Sequence, residues 1–230
     1  MYKIIHKRFC GPPDSGNGGY VCGLVAQYLE GIAEVRLYKP PPLEKPLDVE
    51  VTRDGMVLLK DGETIIAQGK PSSLNLDLPS PPSFDQAREA SSRYVSEKDH
   101  FFPTCFVCGP ARCPKDGLRI FPGMLSGRAA VASAWIPDET LCDDSSLVRR
   151  EFVWASLDCP GAFAVLGLSI RPVVLGSLTA DIVQCPAIGQ RCIVMGWKIG
   201  EQGRKRMAGT ALFSDTGEIL AKAQAVWIEI

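Results

Sequence analysis

Two groups of residues in this chain could do chemistry, and they lie in different halves. Asn17-Gly18-Gly19 opens an apolar stretch near the N-terminus, and Asp158 closes the run Trp154-Ala155-Ser156-Leu157-Asp158. A glycine pair at a helix start presents backbone N–H groups with no Cβ in the way, and the helix dipole favours negative charge there. Such donors suit an oxygen that turns negative during a reaction. Asp158, beside Leu157 and Cys159 and near Phe163, is expected to be partly desolvated, which raises a carboxylate's pKa and makes it a better base. The first half has the glycine turn without the acid, and the second has the acid without the turn. That division points to one composite site at the junction of two similar halves.

Each group also has a purely structural reading. Asn and Gly are favoured at turns and helix caps for backbone reasons alone. Asp158 fits the N-cap of a helix starting at Cys159, because Pro160 suits a first turn better than a helix interior. Ser177, after Gly176, reads as the start of a strand.

The elements that must position these residues repeat. Val21, Leu24, Val25, Tyr28 and Leu29 form one apolar helical stripe, with Gly31 as its stop. Strands are expected near Glu34–Tyr38, Asp48–Thr52, Met56–Lys60 and Glu63–Gly69, with tight turns at Arg53-Asp54-Gly55 and Asp61-Gly62. The Pro- and Ser-rich stretch from Pro71 to Phe84 reads as a linker, followed by a short polar helix within Asp85–Glu97. The second half repeats the plan: strands near Leu118–Phe121 and Arg128–Trp135, a helix within Leu147–Leu166, then strands near Leu178–Gln184, Arg191–Ile199, Arg206–Phe213 and Glu218–Ile228. Gly62-Glu63-Thr64-Ile65-Ile66-Ala67 and Gly217-Glu218-Ile219-Leu220-Ala221 are the matching ends of the two copies. The expected organisation is residues 1–70, a linker at 71–101, and residues 102–230. Each half packs an apolar helix on an antiparallel sheet, and two such halves can join edge to edge.

Bulk properties narrow the function. The chain has 230 residues, 46% of them hydrophobic and 22% charged, with a formal charge of -1. That is enough chain for a real core, with no electrostatic footprint for nucleic acid. No apolar run approaches the ~20 residues of a membrane span. Met1–Arg8 lacks the apolar core of a signal peptide, so a cytoplasmic location is expected. Nine cysteines, an odd number, then read as reduced and mostly buried thiols.

The pattern resembles the hotdog fold, in which a curved antiparallel sheet wraps a long helix. The tandem copy resembles a double hotdog, an α+β fold of two sheets each wrapping a central helix, like the family's homodimer fused into one chain. Asn17-Gly18-Gly19, Trp154–Asp158 with Cys159-Pro160-Gly161, and Cys105-Phe106-Val107-Cys108-Gly109 before Asp116-Gly117-Leu118-Arg119 are similar to segments of acyl-coenzyme A thioesterases of the phenylacetate-degradation type. In that family a His-Gly-Gly turn faces a carboxylate of the other subunit, and the acid follows the turn by about nine residues, two and a half helical turns. Here Asn17 replaces His, the residue nine past it is Ala26, and the residue nine before Asp158 is Arg149. The resemblance therefore implies one retained site. Asp158 is its general base or nucleophile, Gly18 and Gly19 its oxyanion donors, and Asn17 and Ser177 (or nearby Thr179) its polar support. The implied substrate is acyl-coenzyme A or another acyl thioester, with no other cofactor. Further pairing into a homodimer is open to such a unit.

Other chemistries fit less well. Cys105, Cys108 and Cys113 with His100 could hold zinc, yet no second Cys-x2-Cys pair exists, and Phe106-Val107 reads as packed structure, so no metal is expected. His6 and His100 are the only histidines, and Ser156 lacks flanking glycines, which disfavours a Ser-His-Asp triad. Gly203-Arg204-Lys205-Arg206 could grip phosphates but reads as a hairpin tip. The alternatives to a hydrolase are a non-catalytic acyl or acyl-coenzyme A binding module, and an interaction protein that uses the cysteine run.

Overall fold

The computed structural model describes residues 1–142, 144–166 and 173–230. In chain order the elements are β1 (Tyr2–Ile4), α1 (Gly18–Ala26), β2 (Ala33–Leu37), β3 (Pro46–Val51), β4 (Val57–Asp61), β5 (Thr64–Pro71), α2 (Phe84–Ser91), β6 (Gly123–Met124), β7 (Ala130–Trp135), α3 (Arg150–Ser156), α4 (Cys159–Leu166), β8 (Val173–Ile182), β9 (Cys192–Gln202), β10 (Lys205–Ser214) and β11 (Ile219–Glu229). Among the described residues no helix is long and apolar enough to cross a membrane.

The strands form one antiparallel sheet in the order β1-β3-β4-β5-β2-β8-β11-β10-β9-β7-β6. The two expected sheets are therefore a single one. The two halves meet where β2 pairs β8, with Ala33 opposite Ala180 and Val35 opposite Leu178. Joining there consumes one edge of each half. The order reads nearly the same from either end, and the β4–β5 and β10–β11 hairpins turn at Gly62 and Gly217, both with positive φ. The two matching sequence segments thus mark equivalent hairpins.

Three expectations of local structure are corrected. Leu118–Phe121 is not a strand of the sheet. Leu118 and Ile120 instead donate to the carbonyls of Phe106 and Val107, holding the Cys105–Cys108 loop from one side. Tyr2–Ile4, unassigned from sequence, pairs with β3. The single second-half helix is two, α3 and α4, broken at Leu157-Asp158. Pro160 has no N–H to give Ser156 and so cannot continue α3. The Leu157 carbonyl released by the break accepts from Thr210 Oγ1 at 2.8 Å. The linker helix α2 starts with a capping box, Ser83 with Gln86. Its Phe84, Ala87 and Ala90 pack with Ala132, Ile193 and Trp197 in a second, smaller core cluster.

The main core lies where α1 crosses α3. An added Cβ on Gly19 would sit 3.1 Å from Ala155 Cα, and one on Gly23 would sit 2.5 Å from Glu151 Cα. The two glycines, one turn apart, let the helix backbones touch. Phe9, Tyr20, Phe106 and Phe152 stack around this crossing, with the Phe9 and Tyr20 rings 4.3 Å apart. Gly23→Ala is expected to force the helices apart and to cost about 1–3 kcal/mol. Urea unfolding should show a lower midpoint at unchanged slope. An unaltered midpoint would mean the crossing is looser than described.

Candidate active site

The site is built from the first turn of α1 and the break between α3 and α4. Asn17 is the N-cap of α1: its Oδ1 accepts from Tyr20 N–H at 2.9 Å. The other end of the same amide, Nδ2, donates to Asp158 Oδ2 at 2.8 Å. Gly19 N–H donates to that same oxygen at 2.9 Å. The turn-and-cap reading of Asn17 is thus correct, and the cap also reaches the acid 141 residues away. Asp158 immediately precedes α4, where a cap would stand, but its side chain goes to α1 instead.

Asp158 and Asn17 are each 2% exposed. Burial pushes the Asp158 carboxyl up to about 7, against the Gly19 N–H, which favours the charged form, and Asn17, which does so less. Among the described residues its second oxygen, Oδ1, is buried and has no hydrogen-bond partner.

These groups border a cleft of about 990 Å³ whose walls come from both halves: Gly11–Gly18 and Leu37–Pro41 on one side, and Cys159, Phe163, Val173–Gly176 and Trp227 on the other. The cleft is lined mainly by apolar groups. Trp227 Nε1 is its second buried polar atom without a partner among the described residues. Both atoms belong to residues that line the cleft.

The structure brings Asn17, Gly18, Gly19 and Asp158 together but alters the division of labour. Gly19 N–H is taken by Asp158, which leaves Gly18 N–H, at the first helical position, without a partner among the described residues. An added Cβ on Gly18 would meet Leu175 at 2.9 Å, so the turn is closely packed against β8. Ser177 is not in the site. Pairing shifts register between Val226 opposite Ser177 and Trp227 opposite Leu175. That bulge at Gly176 puts Leu178 and Ala180 on the buried face, and Ser177 and Thr179 on the other. Arg206 in the basic cluster pairs with Glu229 at 2.7 Å, as a hairpin tip would.

The cysteines regroup as well. Cys113 is exposed and apart, whereas Cys159, the residue after Asp158, joins Cys105 and Cys108. Cys105 Sγ lies 3.7 Å from Cys159 Sγ. Hydrogen bonds from the Cys108 and Cys159 thiols hold Cys105 well below the usual thiol range. Burial pushes Cys108 up, and the bond to Cys105 pushes Cys159 up. Sequence spacing could not have found Cys159 or Trp227, because both arrive from distant elements.

Asn17 is expected to hold both the helix start and the acid. Asn17→Ala should cost about 1–3 kcal/mol, a lost cap plus a lost bond to a carboxylate. Asn17→Asp should cost at least as much, because it sets a second carboxylate against the first. Chemical denaturation of the two variants measures both. An Asp variant as stable as the native chain would contradict the Asn17–Asp158 contact.

No family model and no curated protein matches this chain. Solved structures do. The tesB protein of Mycobacterium avium subsp. paratuberculosis superposes at TM-score 0.61 and 13% identity, over 94% of this chain and 87% of that one. A conserved protein with a hot dog fold from Alicyclobacillus acidocaldarius gives 0.64 at 12% identity, over 100% and 92%. A thioesterase candidate from Novosphingobium aromaticivorans gives 0.64 at 11% identity, over 99% and 94%. Agreement over nearly the whole of each chain at such low identity is agreement of architecture: the protein has the hotdog fold.

Proposed function

We propose that this chain hydrolyses acyl thioesters, acyl-coenzyme A esters foremost, at one composite site between two fused hotdog halves related as the subunits of a dimer. The observation that carries the reading is the buried Asp158 carboxylate, anchored through one oxygen to the first turn of α1, at the wall of a large apolar cleft. The thioesterase name of one structural neighbour, the Novosphingobium aromaticivorans protein, agrees with it.

The pseudo-dimeric relation is supported by the helix crossing. Adding 132 to Asn17, Gly19 and Gly23 gives Arg149, Glu151 and Ala155. The two close contacts, Gly19 with Ala155 and Gly23 with Glu151, exchange under that shift. The second corner of the crossing has no glycine turn. There, Glu151 accepts from Gln27 Nε2 at 3.0 Å and pairs with Arg149 at 3.3 Å. A polar network fills the corner where the twin site would lie.

In the retained corner Asp158 Oδ1 takes a proton from a water molecule, which attacks the thioester carbonyl. The carbonyl oxygen becomes negative beside Gly18 N–H at the positive end of α1. Collapse of the tetrahedral species expels the thiolate, which is protonated to the free thiol, and leaves the carboxylic acid. Gly19 N–H and Asn17 hold the base in place. A cleft of about 990 Å³ is at the upper end of small-molecule sites and has room for an acyl chain with part of its carrier.

Free-thiol release from short, long and aromatic acyl-coenzyme A esters tests the reading. Asp158→Asn keeps the side chain's shape and is expected to lower kcat/KM by about 10²–10⁴-fold, the usual worth of a general base. Saturable ester binding without release by the native chain would favour the binding-module reading. Release untouched by the substitution would remove Asp158 from the chemistry.

A further inference from the structure

Beside Asp158, but independent of its proposed role, lies a group of side chains that hydrolysis does not use. Cys105, Cys108 and Cys159 are all buried, and their three sulfurs lie within 4.8 Å of one another.

The loop around the first two is tightly held, and Asn17 Nδ2 donates to Cys105 Sγ at 3.8 Å. Gly109 closes the turn, its N–H on the Cys105 carbonyl at 2.9 Å. An added Cβ there would lie 2.5 Å from the carbonyl oxygens of both Cys105 and Pro103. The turn therefore keeps its glycine for steric reasons, directly after Cys-x2-Cys.

We propose that Cys105, Cys108 and Cys159 bind a thiophilic divalent cation of the zinc class. Around tetrahedral zinc, thiolate sulfurs about 2.3 Å from the metal are about 3.8 Å from each other. Cys105 and Cys159 already stand 3.7 Å apart. The other separations, at most 4.8 Å, need close by only about 1 Å. Each thiol gives its proton to solvent as its sulfur binds the cation.

His100 supports the loop without being a ligand. Its Nδ1 accepts from Phe102 N–H at 2.9 Å, which places the ring proton on Nε2. Nε2–H then faces Tyr94 Oη at 2.7 Å, and Tyr94 donates onward to the Cys108 carbonyl at 2.9 Å. Nε2 is also 3.5 Å from Cys108 Sγ, where an N–H offsets thiolate charge. Three protein ligands leave the fourth coordination position open. All three cysteines line the cleft, so that position is available to water or to a bound ligand's donor atom.

The test is metal uptake by the full, reduced chain. After chelator treatment and removal of the chelator, cobalt(II) is titrated in, and thiolate-to-cobalt charge-transfer absorption is recorded. The expected result is saturation at about one cobalt per chain, displacement by zinc, and protection of three thiols from a thiol reagent. Cys159→Ser should abolish the charge-transfer band or weaken cobalt binding at least tenfold, whereas Cys113→Ser should leave the titration unchanged. No charge-transfer band with the native chain overturns the proposal, whatever the variants do. So does a band lost equally in Cys113→Ser, or one kept in full by Cys159→Ser. A Cys105–Cys159 disulfide re-forming in place of cobalt uptake would likewise overturn it and assign the pair to redox chemistry.

Discussion

A carboxylate held out of water by the helix crossing is the constraint around which the centre of this molecule is arranged. Removing a carboxylate from water costs several kcal/mol even after relaxation. Hydrogen bonds to a charged group return about 1.5–3 kcal/mol each. Asp158 receives two, both on Oδ2, and Oδ1 receives none among the described residues. The donors offset much of the desolvation and leave a remainder, which is the physical sense of a carboxyl that titrates near neutrality. Gly19 is what lets the acid be held: an added Cβ there would lie 2.5 Å from Asp158 Cβ.

The same crossing explains why one corner differs from the other. At the Asp158 corner the incoming backbone is a glycine turn that exposes its N–H groups. At the opposite corner the first turn of α3 carries Glu151, whose side chain is 7% exposed and is neutralised by Arg149 and Gln27. Glutamate with its own partners closes that corner without a cleft-facing acid. Within a single chain the two corners can carry different residues, whereas a homodimer must carry both corners identically.

Much of this was legible in the sequence because it is local. The glycine turn, the acid, the hairpins at Gly62 and Gly217, and the helix around Val21–Ala26 each depend on a few neighbouring residues. The misreadings needed long-range information. Ser177 is implied by the family resemblance, and the bulge at Gly176, which the local sequence does not reveal, sets it on the face opposite Leu178. Gly19 was paired with Gly18 as an oxyanion donor because the sequence shows two equivalent N–H groups, and only the approach of Asp158 makes them unequal. Cys113 looked nearer to Cys105 and Cys108 than Cys159 does because chain distance was the only distance on offer. Two sheets became one because edge pairing between β2 and β8 leaves no mark in either strand's composition.

The break between α3 and α4 ties these threads together. In a continuous helix, neighbouring residues point about 100° apart and share the fate of one cylinder. Here Pro160 stops α3, Thr210 takes the Leu157 carbonyl that the break frees, and α4 sets off again at Cys159. Asp158 and Cys159 thereby reach different partners, the first Gly19 and Asn17, the second Cys105. Any force that draws the Cys105–Cys108 loop toward α4 also fixes the backbone immediately after the acid. The acid's position thus depends on two anchors, the α1 turn ahead of it and the sulfur cluster behind it. Positioning an ionisable group from both sides by rigid elements is what restricts it to one geometry, and the two anchors act on the neighbouring residues Asp158 and Cys159.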